Sequence, residues 1–282
     1  MASLDWSALG ALSLIWGASY LFMAIGLESF EPGLVTALRV GFGAATLLCL
    51  PAARVPIDRR AYPKIALLGF TWMAFPLTLF PIAQQWIDSS VAGMLNSAMP
   101  LMATLCAWLM FATPTGPRRL VGVVVGFVGI LFIGVPEAAV AGTNAAGVVL
   151  VLVAVSAYGV AVNIAGPLQR TFGSLPVISR ALSFAFVFCA PLGLVDAAAS
   201  SFSWGSLAAC AAVGIGGTGI AFALAGTLTG RVGAVRMSIV TYLIPLVSII
   251  LGIVFRDESV STWAVPGTAI VLLGAFLSSR VD

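Results

Sequence analysis

Apolar residues in this chain form long continuous runs, without the alternation of apolar and polar positions that marks half-buried strands. Each run is about 20 residues long, the length that a helix needs to cross a hydrocarbon layer of roughly 30 Å. Backbone N–H and C=O groups in lipid must be paired within the chain, so only helices and closed barrels can span it. The pattern predicts an all-α membrane protein with ten transmembrane helices, at Trp6–Leu27, Gly33–Ala53, Pro63–Gln84, Ser89–Ala112, Pro117–Val135, Ala145–Gly166, Pro176–Asp196, Trp204–Gly226, Val232–Val254 and Ser261–Ser279.

The composition agrees with a bilayer environment for nearly the whole chain. Of the 282 residues, 61% are hydrophobic and 8% are charged, whereas soluble domains have about 45–50% and about 25%. The connectors between the runs are short and hold most of the Pro, Asp, Glu and Arg residues. We therefore expect no separate soluble domain.

Basic residues are distributed unevenly between the two sets of connectors. If the N-terminus is cytoplasmic, the outer connectors contain only one basic residue, Arg256. The inner connectors and the C-terminus then contain nine, namely Arg54, Arg59, Arg60, Lys64, Arg118, Arg119, Arg170, Arg231 and Arg280. Under the positive-inside rule, this asymmetry predicts cytoplasmic N- and C-termini in a plasma or bacterial inner membrane. The net charge of +3 is then a topology signal, and we expect no nucleic-acid partner.

The reactive residue types give no indication of an enzyme. Histidine is absent, which removes Ser-His-Asp and Cys-His catalysis and the commonest zinc ligand. Cys49, Cys106, Cys189 and Cys210 are scattered through apolar runs without CxxC spacing, as expected for small hydrophobic residues in packed helices. We therefore predict no catalytic residues, no metal site and no cofactor.

The two halves of the chain are related by an internal repeat, which is common in transporters. Four pairs are 145 residues apart, while Gly17 and Gly159 are 142 apart and Arg39 and Arg180 are 141 apart. The four pairs are Pro100 with Pro245, Leu101 with Leu246, Gly122 with Gly267, and Gly129 with Gly274. The predicted units are residues 1–136 and 145–282. Because each unit has five helices, an odd number, the second unit would have the inverted orientation in the membrane.

These residues resemble the EamA repeat of the drug/metabolite transporter superfamily. The resemblance rests on Trp16-Gly17, Ala37-Leu38-Arg39, Pro100, Gly122 and Gly129 in the first half, and on Arg180, Pro245, Glu258, Gly267 and Gly274 in the second. The first half departs from the pattern with Thr113, where the second has the acidic Glu258. The resemblance implies a central cavity lined by helices one to four and six to nine. Within the superfamily, the chain is most similar to YddG-type amino-acid exporters.

Aromatic and polar side chains near mid-depth are candidates for the cavity wall, because lipid-facing positions gain nothing from them. Any one aromatic residue is explained equally well by core packing. As a set they suit an amphipathic solute. We predict as substrate-binding residues Trp16, Tyr20, Trp72, Thr78, Asn96, Tyr158, Asn163, Thr241 and Tyr242.

Two paired prolines and two paired arginines have less specific roles. Pro100 and Pro245 each remove a helical hydrogen bond, and the resulting kinks serve either gating or static packing. Arg39 and Arg180 either snorkel to the interface or fix a helix by pairing, or they attract a carboxylate near a cavity mouth.

Two glycine patterns are also open to more than one interpretation. The segment Gly214–Gly219 fits G-x-G-x-x-G, but it lies within an apolar run, which favours close helix packing or a kinked helix over a dinucleotide site. Gly122 and Gly126 predict a packing face, whose partner is either another helix of the chain or a second protomer in a homodimer.

Together, these features predict a carrier that exports or exchanges small amphipathic metabolites by alternating access, namely amino acids with aromatic or large apolar side chains. The alternative within the carrier class is multidrug efflux of cationic compounds. Cations would normally require a buried carboxylate, and no Asp or Glu falls in the middle third of a predicted helix. A membrane enzyme or a channel is the other class of function.

Overall fold

The computed structural model describes residues 3–111, 116–139, 145–232 and 234–279, and within these ranges it contains helices and no strand. Thr113 lies outside them. The α-helices are α1 Ser3–Gly26, α2 Pro32–Leu48, α3 Tyr62–Gly69, α4 Phe75–Ala83, α5 Ser89–Asn96, α6 Met99–Phe111, α7 Pro117–Ala139, α8 Ala145–Phe172, α9 Ser174–Ala199, α10 Trp204–Ala211, α11 Ala221–Val232, α12 Ala234–Arg256 and α13 Ala264–Ser279. Two π-helical segments, Phe70–Ala74 and Ala212–Ile220, join α3 to α4 and α10 to α11.

Among the described residues, six helical spans are long and apolar enough to cross a membrane, and α5 with α6 forms a seventh if this bent pair counts as one span. Three shorter apolar helices are also present, at Pro32–Leu48, Val240–Arg256 and Ala264–Ser278. The predicted second run ended at Ala53, but α2 ends at Leu48. Pro51 begins a short 3₁₀ turn after it, because a proline disfavours helical geometry in the residue before it.

The outer surface of the bundle carries large apolar side chains. Leu194, Val195 and Trp204 are 76%, 70% and 76% exposed. Contiguous exposed apolar surface of this kind is rare on monomeric soluble proteins. It matches the hydrocarbon environment indicated by the sequence.

Glycines hold α7 and α13 against each other. A Cβ atom on Gly122 would lie 2.7 Å from the Gly274 carbonyl oxygen, and one on Gly129 would lie 2.7 Å from that of Gly267. As the residue number increases along α7, the number of the contacting residue on α13 decreases. The two helices are therefore antiparallel. Gly126 also faces Gly274. The predicted glycine face is thus covered by a helix of the same chain, and a homodimer would need another surface.

A second pair of glycines lets the two halves of the chain approach each other. A Cβ atom on Gly17 would lie 2.5 Å from Val247 Cβ, and one on Gly159 would lie 2.6 Å from the Met102 carbonyl oxygen. Val247 and Met102 are 145 residues apart, as are the prolines of α12 and α6. Each half therefore packs a glycine of its first helix against the proline-bearing helix of the other half.

The two π segments occupy equivalent positions in the repeat, because Phe70–Ala74 shifted by 145 residues falls within Ala212–Ile220. In the second segment three of the four glycines are close-packing positions, while a Cβ atom on Gly216 would meet nothing within 4 Å. A Cβ atom on Gly214 would lie 2.8 Å from the Arg39 carbonyl oxygen, and one on Gly219 would lie 2.5 Å from Thr46 Cβ. Close packing, one of the two predicted roles of Gly214–Gly219, is therefore confirmed.

Candidate functional site

Two of the predicted tryptophans meet through a phenylalanine that the sequence did not single out. The Phe222 ring is 5.7 Å from that of Trp16 and 5.4 Å from that of Trp72, edge to face in both cases. We call Trp16, Phe222 and Trp72 the tryptophan cluster. It joins α1, the first π segment and α11, and so connects the two halves of the chain.

Two predicted tyrosines meet in the same way. The Phe80 ring is 5.7 Å from that of Tyr20, edge to face, and 6.0 Å from that of Tyr158, stacked. We call Tyr20, Phe80 and Tyr158 the tyrosine cluster. Tyr158 packs against two groups of buried side chains, one that also contacts Trp16 and one that also contacts Trp72 and Phe222. The tryptophan and tyrosine clusters therefore border the same two core groups.

The second π segment anchors a side chain from each of α1 and α2 at adjacent residues. The Trp16 indole Nε1 donates to the Gly217 carbonyl oxygen at 3.0 Å. Arg39 Nε donates to Thr218 Oγ1 at 3.1 Å. Because Gly217 and Thr218 are consecutive, the guanidinium of Arg39 lies beside the tryptophan cluster. Arg39 is only 6% exposed, and its guanidinium contacts groups of α1 and of the second π segment.

No carboxylate compensates the charge of Arg39 among the described side chains. Its Nη1 contacts Met23 Sδ at 3.0 Å. The ionisable groups near enough to interact with it electrostatically are Tyr158, Tyr20 and Cys210. All of these contacts are with groups that are neutral at physiological pH.

Asn96 belongs to the same region. It is 8% exposed, and its side chain lies beside the Tyr20 phenol. Its Oδ1 is buried without a hydrogen-bond donor. A buried acceptor without a partner is costly unless a ligand or water supplies the donor.

Other predicted polar residues are engaged in helix packing. Asn163 Nδ2 donates to the Ala103 and Gly159 carbonyl oxygens at 3.0 and 2.8 Å, tying α8 to α6. Thr78 Oγ1 donates to the Ala74 carbonyl oxygen at 2.7 Å, within its own helix. Both side chains are partly buried, and their main contacts are structural.

Thr241 and Tyr242 are partly buried in α12. Tyr242 packs against the core group that contains Leu9 and Leu12, and none of the described aromatic pairs includes its ring. Its hydroxyl is buried without a hydrogen-bond partner. The structure therefore does not bring Tyr242 into either aromatic cluster, although the sequence places it at a similar depth.

The paired prolines differ in local structure. At Pro100 the helix is interrupted, and α5 and α6 meet at an angle of 41°. Pro245 lies within the continuous helix α12. The kink expected at Pro245 does not interrupt the helix, because packing against Gly17 and Gly93 of α1 and α5 holds the surrounding segment.

Arg180 has a different environment from its repeat equivalent Arg39. Its Nη1 donates to the carbonyl oxygens of Ala53 and Pro176, each at 3.1 Å, and its Nη2 donates to that of Val55 at 2.7 Å. The side chain thus ties α9 to the connector after α2. These contacts match the predicted helix-fixing role.

Acidic side chains close the opposite end of the bundle, which we call the Glu258 end. Glu258 accepts hydrogen bonds from the backbone N–H groups of Ser89 and Ser90, both at 2.9 Å, and from Ser89 Oγ at 2.6 Å. Asp196 Oδ2 accepts from the Gly33 N–H at 2.7 Å. Both carboxylates lie at helix N-termini, where the helix dipole favours negative charge. Arg256 pairs with Glu28 at the same end.

Sequence reasoning missed Phe80 and Phe222 as site residues and did not predict the two helix caps. A phenylalanine in a uniformly apolar run has no signal that distinguishes a cavity wall from a lipid-facing position. Glu258 had a signal, its position in the repeat pattern, but the sequence did not indicate its hydrogen-bond partners.

A groove of about 270 Å³ between α1 and the second π segment is a different feature. On the α1 side it is lined by Leu14, Ile15, Ala18 and Phe22. Leu14 is 60% exposed, which places the groove on the outer, apolar surface of the bundle. Its lining offers a polar solute no side-chain hydrogen bond.

Comparison with known proteins agrees with this architecture. The chain is 22% identical to the uncharacterised transporter YoaV of Bacillus subtilis (strain 168) over 278 residues, covering 95% of this chain and 94% of YoaV. It is 24% identical to a probable terminal-alkyne amino-acid exporter of Streptantibioticus cattleyicolor over 271 residues, covering 94% and 90%. A crystal structure superposes with a TM-score of 0.65 at 20% identity, over 99% of this chain and 97% of that one.

The two halves of the chain each match one family. Residues 6–135 and 145–280 correspond to two copies of the same repeat unit. Homologues of nearly equal length are transporters. Together with the membrane-length helices, these matches show that the chain is a multi-pass membrane protein of the EamA-like transporter family.

Proposed function

We propose that this protein exports or exchanges small amphipathic metabolites by alternating access, and that its solutes are amino acids with aromatic or large apolar side chains. The observation that carries this proposal is that both aromatic clusters have members close to Arg39. Aromatic walls stack on an apolar side chain, while Arg39 and Asn96 offer partners to polar groups. A site at the interface of two repeats is where such carriers bind their solute.

The proposed topology has ten transmembrane helices in two inverted five-helix repeats, residues 1–136 and 145–282. The seven longer spans and three shorter apolar helices support this number. The antiparallel packing of the equivalent helices α7 and α13 supports the inversion. The nine-to-one distribution of basic residues supports cytoplasmic termini in an inner or plasma membrane.

Alternating access is supported by the distribution of contacts along the bundle. At the Glu258 end, α5 packs closely on α12, and side chains from both halves are bonded together. Beyond the break before Pro100, α6 packs on α8 instead. The Glu258 and Arg256 contacts hold the two halves together at the Glu258 end. Release of the Glu258 contacts and bending at Pro100 would open it.

The name of one relative points in the same direction. One relative of 24% identity is called a probable amino-acid exporter. Efflux of cations is the alternative, but the charge nearest to the aromatic clusters is that of Arg39, which repels a cation. The described residues near Arg39 include no carboxylate that would offset this repulsion.

Solute counterflow tests the proposal. Liposomes that contain the purified protein and excess unlabelled phenylalanine should accumulate labelled phenylalanine transiently, because a carrier exchanges solute across the membrane. A channel gives no such overshoot. Competition by tetraphenylphosphonium stronger than that by unlabelled phenylalanine would favour cation efflux and overturn the amino-acid assignment.

A further inference from the structure

We infer that Arg39 is the subsite for the carboxylate group of the transported solute. This inference rests on the proposed function and names the group that gives the site its specificity for charge. It starts from the buried guanidinium, whose described contacts are a hydroxyl and a thioether. Neither contact supplies negative charge.

A buried cation without a counter-ion is costly, because the loss of water is not offset by an ion pair. In most buried sites an acidic side chain pairs with the cation and compensates for the lost hydration. Here the described residues provide none, so an anion that enters this region gains an interaction that is strong in a low-dielectric environment. A carboxylate fits the planar fork of a guanidinium and can accept two N–H groups at once.

The surroundings of Arg39 suit the rest of an amino acid. Tyr20 lies close to Arg39, Tyr158 and Asn96. Asn96 Oδ1 lacks a donor, and an ammonium group would supply one. Trp16 of the tryptophan cluster donates a hydrogen bond to Gly217, and Arg39 donates one to the next residue, Thr218. Carboxylate, ammonium and apolar side chain thus each find a complementary group within one region.

Arg180 is the matched control, since it is the repeat equivalent of Arg39 and also contacts the other half of the chain. Its guanidinium donates to three backbone carbonyl oxygens. Those dipoles already satisfy it, so the same chemistry predicts no preference for a carboxylate there.

The experiment compares phenylalanine with one ligand that lacks the carboxylate and one that lacks the ammonium group. In the counterflow assay, phenylalanine, phenylalaninamide and 3-phenylpropionate compete against labelled phenylalanine. For the parent protein, we expect phenylalaninamide to inhibit roughly 10- to 100-fold more weakly than phenylalanine, the scale of a lost hydrogen-bonded charge pair. Arg39→Gln should bring the ratio of the two inhibition constants to about one, because it weakens the binding of phenylalanine. Arg39→Lys should keep part of it, and Arg180→Gln should keep all of it.

The outcomes separate this inference from the proposed function. Retention of the full carboxylate preference by Arg39→Gln, or its absence in the parent, would overturn the role of Arg39 even if phenylalanine is transported. If Arg39→Gln does not fold, the carboxylate preference of the parent and its partial loss in Arg39→Lys still test the role of Arg39. For a parent that transports no amino acid, thermal stabilisation by 3-phenylpropionate that is lost in Arg39→Gln, and only reduced in Arg39→Lys, would support the subsite and reject the proposed function. No stabilisation by 3-phenylpropionate would reject both.

Discussion

The carboxylate of Glu258 caps the first turn of α5 at Ser89, accepting both its backbone N–H and its hydroxyl. The contact joins the connector after α12, in the second half of the chain, to a helix of the first half. It lies at the end of the bundle where Arg256 also pairs with Glu28. Opening this end requires these bonds to break.

Replacing Glu258 with Gln should destabilise the closed end. The amide keeps one acceptor oxygen and loses the charge, so we expect a loss of about 1–3 kcal/mol, the range for hydrogen bonds to charged groups. The measurement is the midpoint of thermal unfolding in detergent. Asp257→Asn, one residue away and exposed, is the control and should unfold like the parent. An unchanged midpoint for Glu258→Gln would mean that the cap contributes nothing.

Asp88 should make stability depend on pH. Burial and the nearby charge of Glu258 raise the pKa of Asp88 above its ordinary value of 3.8, while Arg256 acts in the opposite direction. A raised pKa means that the folded protein holds this proton more tightly than the unfolded chain. The ionised carboxylate therefore costs stability, and the cost grows as pH rises from about 4 through the raised pKa.

Asp88→Asn removes that cost without removing a helix cap, because the Asp88 side chain makes no capping hydrogen bond. The variant should unfold at a higher temperature than the parent at pH 7. The difference should shrink as pH falls and disappear below about pH 3, where Asp88 of the parent is protonated in both the folded and the unfolded state. A difference of equal size at both pH values would contradict this assignment.

Ala at Gly159 and Ala at Gly17 should both be disruptive. The new Cβ would lie 2.6 Å from the Met102 carbonyl oxygen in the first case, and 2.5 Å from Val247 Cβ in the second. Neither atom can move aside by side-chain rotation, so we expect each variant to lose about 1–3 kcal/mol of stability, the cost of overpacking. Gly10→Ala, where a Cβ meets nothing within 4 Å, should be neutral or stabilising. Thermal unfolding of the three variants checks the order.

The sequence was sufficient to predict the apolar runs and the repeat, because span length, proline and paired glycines all leave periodic signals. Gly122, Gly129, Gly267 and Gly274 were found by their spacing, and they pack together in the structure. It was not sufficient to predict the direction in which a side chain points. Tyr158 and Tyr242 were predicted at similar depth, yet only Tyr158 joins an aromatic cluster.

Of the two π segments, only the second had a sequence signal, the glycines of Gly214–Gly219. The first, Phe70–Ala74, contains no glycine or proline, and the extra residue in its turn depends on packing against neighbouring helices. Arg39 was located along its helix, but whether its long side chain reaches the interface depends on Thr218 and Met23 across the bundle. Tertiary contacts of this kind decide the site, and sequence spacing within one helix does not contain them.

Orientation in the membrane follows from the basic residues and can be tested by labelling. In a variant without the four native cysteines, Cys at Arg59 or Arg118 should be shielded from an impermeant thiol reagent in intact cells, while Cys at Glu31 should react. Permeabilised cells are the control, in which the two shielded positions should react as well, since both are exposed in the structure. Labelling of Arg59→Cys from outside would invert the proposed topology.

The most direct measurement of the central claim is phenylalanine counterflow by the parent and three aromatic variants. Tyr158→Ala and Phe222→Ala each remove a ring from a cluster and should weaken apparent affinity by roughly 1 kcal/mol or more, the scale of a lost aromatic contact. Phe202→Ala removes an exposed ring that contacts only Trp204 among the described aromatic pairs, and should leave affinity unchanged. Equal transport of phenylalanine by all four proteins, or a parent that prefers a lipophilic cation, would contradict the proposed site and substrate.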